Sequence, residues 1–191
     1  MMMYISTVQY GTLILKQSYA EDTASKDYIS DQLSLYFLIA QLSGLAPALL
    51  FGLIIDRTKV WRFFLLWHCF MLASLIIFIN YVPGDKHIYN STEHAPHGLV
   101  TGFILMNITS SGIFTLNQTL MAKSVEKCNL SRGVFMGAQA MCSGLGILLI
   151  DGVGGNLYDS DPRNPFYMCI GSESVLIAIT AVLALADQLH V

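Results

Sequence analysis

Long apolar runs, each ended by a short polar break, set the pattern of this chain. Residues 33–55 contain no Asp, Glu, Lys, Arg or His and stop at Asp56-Arg57-Thr58-Lys59. Further runs cover 63–82, 98–122, 133–158 and 166–186, with polar stretches at 83–97, 123–132 and 159–165. A helix needs roughly 20 apolar residues to cross about 30 Å of hydrocarbon, so each run is long enough to span a bilayer. Residues 1–15 are mildly apolar, too short to span, and lack the basic start of a signal peptide. They predict a partial helix, either the end of a transmembrane helix or an interfacial one, with the truncated helix preferred. The polar, acidic stretch 16–31 predicts a solvated loop. The expected architecture is one all-α membrane domain over 1–191, with five full spans and one partial span.

Composition points the same way. The 191 residues are 54% hydrophobic and only 12% charged, against about 25% charged in a soluble domain. A net charge of −3 leaves no basic surface to track phosphates, which excludes nucleic acid as a partner. Cys69, Cys128, Cys142 and Cys169 show no metal-ligand or disulfide spacing and read as inert thiols. No phosphate loop, nucleophile elbow or catalytic triad is present, so neither an enzyme nor a cofactor is expected. His87, Glu93, His94 and His97 share an outer loop but read as solvated side chains, not as a metal site.

Charge orients the spans. The breaks after 55 and 122 share one face and hold Arg57, Lys59, Arg62, Lys123, Lys127 and Arg132, more than half of the ten basic residues. The positive-inside rule puts that face in the cytoplasm. Asn90-Ser91-Thr92, a glycosylation acceptor, then falls outside, as it should.

Polar residues inside the spans are the functional candidates. Asn107, Ser111, Thr115 and Gln118 recur at helical spacing and share one stripe of the third span. Amides at that depth need partners, which a water-filled cavity or a neighbouring helix supplies. Asp151 and Glu173 are the carboxylates within spans, each roughly 10 Å below the outer surface at 1.5 Å per residue. A carboxyl in hydrocarbon is costly and is usually functional or paired, and a proton shared between these two would suit proton coupling. His68 reads as a hydrogen-bonded interior group. The glycines of the fourth span predict close packing, a helix that bends during gating, or both. Gly44, Ala48 and Gly52 place small residues on one face of the first span, which lets another helix approach closely.

Gly52-Leu53-Ile54-Ile55-Asp56-Arg57 resembles the cytoplasmic loop motif of the major facilitator superfamily, Gly-x-x-x-Asp-Arg-x-Gly-Arg-Lys. There the glycine admits close helix contact and the charged residues form a relay. Gly52, Asp56 and Arg57 carry over, while Lys59 stands at the second glycine. Gly146, Ile150-Asp151 and Gly154-Gly155 are similar to that family's Gly-x-x-x-Gly-Pro-x-x-Gly-Gly pattern, with Ile-Asp replacing Gly-Pro. The third span lacks Arg-x-x-Gln-Gly, so the likeness is to the C-terminal half, helices eight to twelve with the end of helix seven. The resemblance implies a small solute moving between two rocking six-helix halves, with the second half supplied by the same protein or another chain. It also implies that the third span lines the cavity. The competing expectation is a non-transporting membrane subunit that packs against partner chains.

Overall fold

The computed structural model describes residues 6–17, 26–55, 60–82, 97–128 and 131–185. These residues are helical, with no strands among them. A π-helical turn, Ser6–Gly11, leads into α1 (Thr12–Gln17). Five long helices follow: α2 (Lys26–Ile55), α3 (Val60–Tyr81), α4 (His97–Cys128), α5 (Arg132–Ser160) and α6 (Asn164–Leu185).

Four of them are long and apolar enough to cross a membrane: Trp61–Tyr81, His97–Lys123, Gly133–Ser160 and Asn164–Leu185. This is a membrane-embedded protein. The expected count of five spans is therefore corrected to four among the described residues. The first expected span, 33–55, lies in α2 and is helical throughout, including Pro47. Its described part is interrupted by Gln41, Ser43 and Gly44, and side chains at 48–49, 52–53 and 55 lie outside those described.

Helix ends also depart from the hydropathy breaks. Part of the loop expected at 16–31 is helical: α1 runs to Gln17 and α2 begins at Lys26. The loop expected at 123–132 is likewise taken up by α4 as far as Cys128. Hydropathy marks where a helix leaves hydrocarbon, and nothing stops the helix there unless a breaker follows; neither 26–32 nor 123–128 contains Gly or Pro. The partial helix is present from Ser6, and its Tyr10, Ile14 and Leu15 are buried inside the bundle.

The packing centres on α4, which lies against both α2 and α3; α3 also packs on α6, and α6 on α5. On α3 the buried residues Phe64, His68, Met71, Leu75, Phe78 and Val82 repeat alternately at four and three residues. This is the periodicity of helices that stay in contact along their length. The opposite side exposes Leu66, Phe70, Ile76 and Ile77. Buried positions across the bundle include His68, Ser74, Asn107, Thr109, Ser110 and Glu173. Polar side chains are thus buried among apolar ones, while large apolar side chains also cover the outside, as hydrocarbon around the bundle requires.

Helices α3 and α6 run antiparallel. Arg163 Nε donates to Val82 O at 2.7 Å near one end, the tilted rings of Phe78 and Phe166 lie 5.0 Å apart below it, and His68 meets Glu173 deeper in. A large cluster that includes Tyr10, Phe78, Leu99, Phe103, Tyr158 and Phe166 fills this end of the bundle. A smaller one at the other end joins Phe51, Phe64 and Leu116, with Phe51 edge-on to Trp67 at 4.6 Å.

Glycine serves two different ends. In α4 a Cβ on Gly102 would lie 2.8 Å from the Phe78 backbone, and one on Gly98 or Gly112 would collide with the ring of Tyr81 or Trp67. Gly44 of α2 does bring a neighbour close: a Cβ there would lie 2.5 Å from Ser111 Oγ. In α5, by contrast, Gly137, Gly144, Gly152 and Gly155 meet nothing within 4 Å among the described residues, while Gly154 is held tightly by Tyr10. Among the glycines of that helix whose surroundings are described, the expected close packing is found at Gly154.

A candidate solute cavity between the helices

The buried residues of α5, namely Ile150, Gly154 and Tyr158, all fall in its second half. Tyr10 fastens that half: its hydroxyl donates to Ile150 O at 3.2 Å and its ring stacks on Tyr158 at 5.3 Å. Tyr158 in turn donates to Gln17 Oε1 at 2.8 Å. The first half of α5 has no such anchor among the described residues and stands away from α4. Between them, closed laterally by α2 and α6, is a cavity of about 860 Å³.

Most polar groups on its wall come from α4 and α5. Ser110, Ser111, Thr115 and Asn117 face it from α4, and Gln139 and Ser143 from α5. Gln41 of α2 and Ser172 of α6 add to them. Apolar surface alternates with these groups: Phe114, Phe135 and Leu176 also line it. Such a mixture, largely apolar with a few polar groups, is typical of small-molecule sites.

The charged contribution comes from one pair. His68 and Glu173 both line the cavity and are only 3% and 1% exposed. His68 Nδ1 lies 2.8 Å from Glu173 Oε2 and 3.0 Å from Oε1. The carboxylate thus takes the imidazole edge with both oxygens. Phe64 covers the ring, with centroids 4.1 Å apart. His68 Nε2 is buried without a hydrogen-bond partner among the described residues.

The polar stripe of the third span divides. Ser111 and Thr115 line the cavity, and Thr115 Oγ1 donates back to Ser111 O at 3.1 Å. Asn107 is buried and donates to Phe103 O of its own helix at 2.9 Å; neither it nor Gln118 is on the cavity wall. The next layer of α4 is occupied internally: Thr109 Oγ1 lies 3.2 Å from Ser74 Oγ, and Trp67 Nε1 donates to Thr109 O at 2.8 Å.

The two intramembrane carboxylates also separate. Glu173 pairs with His68, whereas Asp151 is exposed on α5 and does not line the cavity. Sequence reasoning did not foresee the pairing of His68 with Glu173, nor Gln41 and Gln139 as wall residues. One signal for the pair was available. Both sit well inside 22-residue helices, where an ionisable group needs a partner of opposite kind.

Of the loop-motif residues, Gly52 lies in α2 with its surroundings outside the described residues, as are Asp56, Arg57 and the glycosylation candidate Asn90. Among the outer-loop histidine cluster, His97 is described, and it is exposed.

No family model, no curated protein and no solved structure matches this chain.

Proposed function

We propose that the chain moves a small solute across the membrane, as one helical half of a secondary transporter, and that the cavity is part of the solute's path. The observation that carries this reading is the placement of the polar groups. Hydroxyls and amides of α4 and α5, with a His–Glu pair, surround about 860 Å³ inside a bundle whose outer surface is apolar. Polar atoms at such depth are stabilised by each other or by water and solute.

The half-anchored α5 supports the reading further, since a wall fastened at one end can swing at the other. Alternating access requires a wall that moves against a fixed one. In this reading α4 is the fixed wall and α5 the moving one. The cavity occupies the end of the bundle beside the α4–α5 connection, which the basic residues assign to the cytoplasm. The likeness of Gly52, Asp56 and Arg57 to the major facilitator loop motif fits the same role. A second six-helix half, from the same protein or another chain, would then complete the path.

A second reading has its own observation. The open side of α5, with Gly137, Gly144, Gly152 and Gly155 meeting nothing within 4 Å, suits a non-transporting subunit that receives a partner's helix. Tracer uptake separates the two. The full chain, reconstituted into vesicles, is offered radiolabelled sugars, polyols, amino acids and organic ions. Transport predicts saturable uptake of at least one above protein-free vesicles. Uptake of none, in vesicles where the chain is folded and the second half is present, sinks the transport reading and leaves the subunit reading.

A further inference from the structure

The cavity wall has an unusual charge balance for a polar site. Among the described residues, His68 and Glu173 are the charged ones that line it, and they face each other at 2.8 Å. Arg62 on α3, Lys123 and Glu126 on α4, and Asp151 and Asp159 on α5 are not on the wall. Cys142 is the other titratable group there. The remaining polar groups are neutral hydroxyls and amides.

A lone ionised carboxylate at this depth would be costly, so the pair is most stable with one proton shared between its members. It is then net neutral whether written as imidazolium with carboxylate or as imidazole with carboxylic acid. In both forms Nδ1 and the carboxylate hold one hydrogen between them, and the ring's other hydrogen is on Nε2. Nε2 is the atom left without an acceptor among the described residues. A charged solute entering this cavity would shed water and meet no unpaired opposite charge among the described residues. An uncharged solute would lose far less and would find donors and acceptors all around it.

We propose that the cavity selects uncharged solutes bearing hydroxyl, carbonyl or amide groups, and that His68 and Glu173 set this selection by cancelling each other's charge. This inference rests on the transport reading above and adds the chemical class of the solute.

Cys142 on the wall supplies the probe. The full chain in lipid vesicles is treated with three methanethiosulfonates of similar size: hydroxyethyl (neutral), trimethylammonioethyl (cationic) and sulfonatoethyl (anionic). Modification of the peptide carrying Cys142 is timed by mass spectrometry, and each rate is divided by that reagent's rate with free 2-mercaptoethanol. The neutral reagent should exceed both charged ones by about tenfold or more, because charge burial is costly. Comparable normalised rates would overturn the inference while leaving the transport reading intact. Failure of all three reagents would mean that solutes do not reach the cavity, which overturns the transport reading itself. In His68→Gln the carboxylate loses its partner, and the cationic reagent should gain about tenfold on the anionic one. An unchanged ratio in the folded variant removes the role assigned to the pair.

Discussion

Helices α4 and α5 are similar in length, 32 and 29 residues, and both carry glycines and scattered polar groups. Yet 50% of the most apolar stretch of α4 is buried inside the protein, against 6% for α5. The glycines of α4 are closed against Phe78, Tyr81 and Trp67, while most described glycines of α5 face open space. The contrast teaches that glycine in a membrane helix has no single meaning. It allows close approach only where a neighbour is present to use the room. In α4 it fixes the helix as the bundle's spine; in α5 it leaves a bare helix held near one end by Tyr10.

That contrast is open to attack by mutation, beginning with the charged pair on the wall beside α4. Glu173→Ala strands His68 in the interior, and breaking a buried pair costs roughly 3–5 kcal/mol. Asp151→Asn, on the exposed side of α5, should shift stability by no more than about 0.5 kcal/mol. Unfolding of both variants in mild detergent, followed by circular dichroism, gives the comparison. Equal effects would mean that the pair does not hold α3 to α6.

Next in size is Gly102→Val, where the new side chain meets the Phe78 backbone, 2.8 Å from the position of its Cβ. Overpacking of this kind costs about 1–3 kcal/mol, and here the obstacle is main chain and cannot turn aside. A variant as stable as the parent would show that α3 and α4 are not in close contact.

Tyr10→Phe removes the hydroxyl that reaches Ile150 O. The loss should be near 1 kcal/mol, and it should be local. Protease cleavage of the α4–α5 connection should accelerate, while the unfolding of α3 and α4 stays as it was. Smallest of all is Gly144→Ala on the open side of α5, expected within about 0.5 kcal/mol of the parent by the same unfolding measurement. A large loss there would place an unseen neighbour against the helix.

The existence of the helices could be read from the sequence because hydrocarbon demands long apolar runs. Their ends could not be read so well. Lys26 to Gln32 extends α2, and Lys123 to Cys128 extends α4, because polarity ends a span without ending a helix. The stripe on α4 was half legible: its spacing put Ser111 and Thr115 on one face, but which part of that face meets the cavity depends on where α5 stands off. The pairing of His68 with Glu173 was only hinted at, for a related reason. Sequence gives the depth of each group in its helix, whereas contact depends on α3 and α6 packing side by side. Asp151 and Glu173 have similar depths, and the packing sends them to different surroundings.

The central claim is that the first half of α5 has a wet face and a lipid face. Gln139, Ser143 and Gly146 line the cavity, while Met141, Leu145 and Leu148 are 71%, 60% and 69% exposed on the outside. A nitroxide placed at each of these six positions in turn, in vesicles, reports collisions with a water-soluble nickel chelate and with oxygen, which concentrates in lipid. The account predicts that labels at 139, 143 and 146 favour nickel and labels at 141, 145 and 148 favour oxygen. Six positions that all favour oxygen would contradict it.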